Sequence, residues 1–308
     1  MTLTEHVRAY VAFRRATGLA FQGQERQLGS FARHAEARGD RYVRVRTALD
    51  WASQSKSPHR RQQRLRLVGG LATYLHAEDE RHEIPHRDAL GRATYHRPPP
   101  RLLSGTQIRQ LMEAALELPP VGSITPVSFH FMLGLIAATG LRRAEATDLR
   151  LKDHTPDGLR IRNAKRGKQR LVPLHGSVRT ALDRYLEIRL RCGSPSDRLF
   201  VLASGRPVQP DYLTHTFVRL ARQVGLRGGP GEPGPRLHDL RHSFAMRALE
   251  SAARGDRSAI SRHMLALSTY LGHANATDTY WYLEATPVLL QQVSAATERL
   301  HAGRGDDE

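Results

Sequence analysis

The sequence predicts a mainly α chain: an all-helical N-terminal domain, then a mixed α/β, mostly helical domain that carries a small antiparallel sheet. Three observations predict it. Apolar residues recur at three- and four-residue spacing through 3–90, a run of three prolines with basic flanks interrupts the chain at 91–104, and a short alternating segment occupies 159–174.

Val7, Tyr10, Val11 and Phe13 form one apolar stripe, and Leu28, Phe31 and Ala32 form a second before a break at Gly39. Further helices are expected over 46–54 and 58–77, the latter opened by Ser57 as N-cap and Pro58 at the first helical position. GRATYHRPPPRLLS, 91–104, cannot be helix interior and reads as a stiff extended linker, with a domain boundary near 98. Beyond it, helices are expected over 105–117, 127–139, 176–190, 210–224 and 238–251, and a hairpin over 159–174 around a basic turn that contains Gly167. The expected division is 1–97, 98–285 and 286–308, the last being a helix whose stripe is Leu289, Leu290, Val293, Ala296 and Leu300, followed by an unstructured tail.

Charge narrows the partners. Forty-seven Lys and Arg face 30 Asp and Glu across 308 residues, a formal charge of +17, which suits a polyanion. Lys56, Lys152, Lys165 and Lys168 are the four lysines, so nearly all of the positive charge is guanidinium, the better fork for phosphate. Nucleic acid is therefore expected before lipid. Cys192 stands alone, which excludes an intramolecular disulfide and a multi-cysteine zinc site and fits a reducing cytoplasm. The longest apolar stretch, at 131–141, is too short to span a bilayer.

Four segments carry chemistry. In LHDLRHSFAMRAL, 237–249, helical geometry groups Leu237, Leu240, Phe244 and Ala248 toward a core and places His238, Arg241 and His242 on an adjoining ridge. A histidine and an arginine converging there suit an oxyanion with several oxygens. The pair His238 and His242 also has zinc-ligand spacing, but the glutamate of HExxH is absent, Asp239 standing in its place. In TGLRRAEATDLRLKD, Glu145 lies three residues after Arg142, close enough on a helix start to orient it. The turn AKRGKQR holds Lys165, Arg166, Lys168 and Arg170. Either lysine could release a proton as a general acid, the cations otherwise lining a hairpin tip or touching phosphates. GHANATDTYWYL sets Tyr280 and Tyr282 two residues apart, so on a helix they point about 200° from one another and only one can face a given site. Arg60, Arg61, Arg64 and Arg66 follow Ser57 and form either a phosphate-contacting or a merely solvated helix face.

In order, TGLRRAE, AKRGKQRLVPL, HDLRHSFA and LGH followed nine residues later by Tyr282 resemble the tyrosine recombinase (phage integrase) family over nearly all of 100–285. The resemblance implies a helical core-binding domain joined to a catalytic domain, the two clamping duplex DNA. It makes Arg142, Lys165, His238, Arg241 and His273 catalytic, Glu145 their supporting acid and Tyr282 the nucleophile. Lys165 is selected because it precedes Pro173 by eight residues, as the family's lysine does. Implied too are strand exchange through a 3′-phosphotyrosyl link, double-stranded DNA as partner, DNA contacts from Arg60, Arg61, Arg64, Arg66, Arg166, Lys168 and Arg170, no cofactor or metal, and a homotetramer on DNA built by exchange of the C-terminal helix. A type IB topoisomerase that relaxes DNA without exchanging strands, and a non-catalytic DNA-binding accessory protein, are the alternatives.

Overall fold

Residues 1–19, 21–91, 100–162, 169–252 and 257–272 are described by the computed structural model. The chain divides into two compact units, Met1–Pro98 and Pro99–Glu308.

In the first unit four helices, α1 (Leu3–Ala16), α2 (Gln22–Glu36), α3 (Val45–Ser53) and α4 (Pro58–His76), enclose one apolar core. Thr2 and Glu5 cap α1 reciprocally, the Glu5 N–H donating to Thr2 Oγ1 at 3.2 Å and the Thr2 N–H to Glu5 Oε2 at 2.8 Å. Ser57 and Pro58 open α4 as the sequence predicts. Leu28, Phe31 and Ala32 pack with Trp51, Leu65, Val68 and Leu71 in the interior.

After α4 the chain doubles back and clips the entry to α3. Val43 N–H donates to His82 Nδ1 at 3.1 Å, Glu83 N–H donates to the Val43 carbonyl at 2.8 Å, and Val45 N–H donates to Glu83 Oε2 at 2.7 Å. Burial holds His82 below the ordinary imidazole value of 6.5, and the neighbouring charges of His6, Arg81 and His76 act in the same direction against Asp79. Protonation would turn the acceptor of the Val43 bond into a donor. The unfolded chain takes up that proton more readily than the folded one, so stability is present above 6.5 and is lost as pH falls below it. Between about pH 7.5 and about pH 5.5, a range that spans an ordinary histidine titration, amide-exchange protection of α3 is expected to drop in the full chain. His82→Asn, a non-titrating acceptor, should flatten that drop.

The second unit contains α5 (Gly105–Ala115), α6 (Ile124–Thr139), α7 (Arg143–Asp148), β1 (His154–Thr155), β2 (Gly158–Ile161), β3 (Arg170–Val172), α8 (Gly176–Arg191), α9 (Pro210–Gln223), α10 (Leu237–Ala252) and α11 (Arg257–Leu271). Phe129, Met132, Leu133 and Ile136 of α6 are buried at its centre, in one core with Leu111 and Ala115 of α5, Leu182 and Tyr185 of α8, and Phe217 and Leu220 of α9. The sheet is antiparallel in the order β1-β2-β3, and Leu159 pairs with Val172, Arg160 with Leu171 and Ile161 with Arg170. Leu159, Ile161 and Val172 are buried, whereas the cross-strand pair Arg160 and Leu171 faces out.

The structure departs from expectation in three places. Two strands are expected and a third, β1, is present: it is two residues long, too short to show alternation. α6 begins three residues early because Pro126 falls in its first turn, where no backbone N–H is required, and Ser123 caps it. No helix is expected over 257–271, yet α11 forms there and packs Met264, Leu267 and Leu271 against Ala245, Met246 and Leu249 of α10. Among the described residues no helix is long and apolar enough to cross a membrane. The expected helix at 286–300 lies outside them.

Candidate active site

The site begins where α6 ends. Gly140 stops that helix in the left-handed conformation, with φ +64°, and a side chain there would meet Phe244 Cδ1 at 2.6 Å and Leu271 Cδ2 at 2.9 Å. Only glycine satisfies both the dihedral and the space. The chain then turns so that Arg142 becomes the N-cap residue of α7. Its backbone N–H donates to Glu145 Oε2 at 2.9 Å and its Nη1 to Glu145 Oε1 at 2.9 Å, the orientation expected from their spacing.

Glu145 is also held by Arg170, which the sequence suggests is a DNA contact on a basic turn. Arg170 Nη1 and Nη2 donate to Oε1 and Oε2, each at 2.9 Å, and its Nε donates to the Tyr270 carbonyl at 2.9 Å. Its side chain is 12 % exposed and that of Glu145 3 %. Thus Arg170 lies inside the cluster. Strand parity explains this, because Arg170 shares the inward face of β3 with the buried Val172. Burial opposes ionisation of Glu145, but hydrogen bonds from Arg170 and from the Arg142 N–H, with both guanidinium charges, outweigh it and bring the carboxyl down from 4.5 to about 2.

Arg241 differs from its expected place on an open ridge. It is 1 % exposed, as is His242, because α11 covers that side of α10. Its Nη1 donates to the Gly140 carbonyl at 2.6 Å and its Nη2 to the Leu271 carbonyl at 2.8 Å. His238, one turn before His242, does face solvent, and the two imidazoles meet edge to face at 4.4 Å between centroids.

These contacts share one acceptor group. Arg170 takes the carbonyl of Tyr270, Arg241 that of Leu271, and Arg142 Nη2 that of Gly272 at 2.7 Å. Three consecutive carbonyls at the C-terminal end of α11 are therefore capped by three guanidiniums, each drawn by an orphan acceptor and by the negative end of the helix dipole. Gly272, with φ +66°, permits it, since a Cβ there would lie 3.0 Å from Arg170 Nη1. His273 is the next residue. Arg142 keeps 26 % of its side chain exposed, so the cluster presents positive charge to an approaching anion.

Of the residues expected to act, Arg142, Glu145 and Arg241 are brought together around residues 270–272, with Arg170 added. Lys165, Arg166, Lys168, His273, Tyr280 and Tyr282 lie outside the described residues. Tyr270 is a further phenol near the cluster, but its ring stacks on Phe244 and burial, opposed by the Arg170 charge, raises its pKa. In the N-terminal unit Arg60 and Arg66 are exposed. Arg61 Nε donates to the Ser55 carbonyl at 2.6 Å, and Arg64 sits 4.9 Å over the Trp51 ring and donates to its carbonyl at 3.3 Å. Those two guanidiniums help to fix the α3–α4 junction.

Comparison with known proteins places the chain in a family. Residues 101–287 match the model of the phage integrase family. A Sinorhizobium fredii protein named as an integrase/recombinase, y4rB, is 36 % identical over 97 % of this chain and 98 % of its own length. Tyrosine recombinase XerC of Pseudomonas fluorescens is 30 % identical over 77 % of this chain and 72 % of its own. Among solved structures, a lambda integrase dimer bound to a core site superposes with a TM-score of 0.66 over 92 % of this chain and 78 % of that one at 17 % identity, and the XerH site-specific recombinase in a post-cleavage complex with a TM-score of 0.62 over 88 % and 78 % at 20 % identity. The last two show likeness of fold. With a family model spanning more than half of its length, this chain belongs to the phage integrase family of tyrosine recombinases.

Proposed function

We propose that the chain is a site-specific DNA recombinase that cuts and rejoins strands through a covalent 3′-phosphotyrosyl intermediate at Tyr282. The observation that carries this reading is the gathering of Arg142, Arg241 and the carboxylate-bound Arg170 at the end of α11, one residue before His273 and ten before Tyr282. A phenol with pKa about 10 is only about one part in a thousand ionised at neutral pH. It needs a nearby base and cations at the phosphate. Arg142 and Arg241, with His238 and His273, stabilise the charge that develops on the pentacoordinate phosphorus. Tyr282 gives up its phenolic proton with the assistance of His238, His273 and the arginines, its oxygen bonds to phosphorus, the bond to the 5′-oxygen breaks, and Lys165 delivers the proton that oxygen needs. The freed 5′-hydroxyl later attacks the equivalent link on a partner strand, which conserves the bond energy without a cofactor.

On this reading the first unit is the core-binding domain and the second the catalytic domain, with Arg60, Arg66, Arg166 and Lys168 contacting duplex phosphates. One solved relative is a lambda integrase tetramer on a Holliday junction. That precedent supports a homotetramer here, with the segment after 285 exchanged between protomers. The reaction belongs in the cytoplasm, where the DNA and a reduced Cys192 coexist.

A nicked suicide duplex built from inverted half-sites in the DNA flanking the gene tests the nucleophile. Tyr282→Phe is expected to abolish the covalent adduct on a denaturing gel, and Tyr280→Phe to retain it. The opposite pattern reassigns the nucleophile.

A further inference from the structure

We propose that Arg170 is a positioning residue for strand cleavage: by occupying both oxygens of Glu145 it stops that carboxylate from neutralising Arg142 and leaves the Arg142 guanidinium available to the scissile phosphate. The proposal rests on the assignment of Arg142 to that phosphate.

The bonds show how this works. A carboxylate offers about four acceptor positions. All four on Glu145 are filled: Oε1 receives Arg142 Nη1 and Arg170 Nη1, and Oε2 receives the Arg142 backbone N–H and Arg170 Nη2. Arg170 makes the two-pronged contact, so Arg142 is confined to a single side-chain bond with Glu145. Its only other side-chain bond among the described residues runs from Nη2 to the Gly272 carbonyl. A guanidinium has about five N–H donors in a fixed fork, and two so engaged leave the remainder to grip phosphate oxygens.

Charge points the same way. Arg142 and Glu145 alone sum to zero, and a neutral pair attracts an anion only weakly. Two guanidiniums around one carboxylate retain one positive charge, placed beside the more exposed partner, Arg142. Without Arg170, Glu145 is held by Arg142 alone, through its backbone N–H and Nη1, and has acceptor positions open to take a second guanidinium bond from Arg142, which takes up donors and charge together. The third Arg170 bond, from Nε to Tyr270, ties β3 to the helix end that precedes His273. Two routes to the chemistry thus lead from one side chain, one through Arg142 and one through the hairpin that bears Lys165. The geometry favours the first, because both ends of the Arg170 fork lie on Glu145.

The test compares single-turnover cleavage by wild type, Arg170→Gln and Arg170→Lys on three versions of the suicide duplex. They carry an ordinary scissile phosphate, a neutral methylphosphonate in which one non-bridging oxygen is CH3, and a bridging 5′-sulfur whose thiolate leaves without a proton. Arg170→Gln is expected to slow cleavage of the phosphate by about 10–100-fold, the usual scale for a residue that orients a functional group. On the methylphosphonate, which has no charge for Arg142 to neutralise, wild type and variant should differ by less than about threefold. The 5′-sulfur should leave the defect in place. Arg170→Lys keeps the charge beside Glu145 and is expected to fold where the glutamine variant does not. Having no fork, it should show the same pattern in smaller degree.

Equal slowing on the phosphate and the methylphosphonate, rescue by the 5′-sulfur, or no slowing at all would each overturn the proposal. The second of these transfers the role to Lys165. A wild-type chain that cleaves none of the duplexes refutes the recombinase reading, a result distinct from variants that match an active wild type.

Discussion

Arg241→Ala is expected to remove detectable strand cleavage and to destabilise the second unit, and Arg241→Lys to restore most of the stability but little of the cleavage. Loss of one group that stabilises charge in a transition state costs about 10²–10³ in rate. Here the same side chain is also structural. It is buried and donates to the carbonyls of Gly140 and Leu271, where α6 ends and α11 ends. Alanine leaves both carbonyls without those donors, at about 1–3 kcal/mol for each buried group, and opens a guanidinium-sized void. An ammonium can reach one of these carbonyls, but it cannot present the planar pair of donors that an equatorial phosphate edge matches. Suicide-duplex cleavage and urea melts, read on the same preparations, separate the two effects. If the lysine variant regains cleavage in proportion to its stability, the role of Arg241 is structural alone.

Glu145→Gln should lower stability by about 3 kcal/mol at neutral pH, and the gap from wild type should close in acid. The carboxyl stands near 2 in the folded chain against an ordinary 4.5, and that separation converts to about 3 kcal/mol. Because the folded value is depressed, the contribution is complete above 4.5 and disappears as pH falls toward 2. Removing one member of a buried ion pair costs about 3–5 kcal/mol, the same scale by an independent route. Melting temperatures of both proteins across this window provide the check, since parallel curves would mean that the carboxylate does not titrate as its partners require. Cleavage should fall as well, because the amide cannot hold two guanidiniums.

Much of this was legible in the sequence, and the exceptions have local causes. Ser57 and Pro58 announce α4 because capping chemistry is short-range and acts within one turn. The spacing of Arg142 and Glu145 predicts a helix start and an oriented cation, contacts within a few residues. The burial of Arg241 was not legible from its own helix, since the cover comes from α11, some 30 residues later. The signal for that cover was present in Met264, Leu267 and Leu271, spaced by three and four. Arg170 was hidden among neighbouring cations. Its parity with Val172 on β3 distinguishes it from them, and parity acquires meaning only once one residue of the strand is known to be buried. Long-range partners, such as the pairing of Arg170 with Glu145 across 25 positions, carry no spacing rule and emerge only from coordinates.

The three carbonyls at the end of α11 have a consequence for synthesis on the ribosome. Arg142, Arg170 and Arg241 all emerge before residues 270–272, so a growing polypeptide holds its cations without the acceptors that gather them. On the proposed reading, the three arginines stay ungathered until α11 has been translated and docked, and termination upstream of residue 270 is expected to yield a product without the assembled cluster.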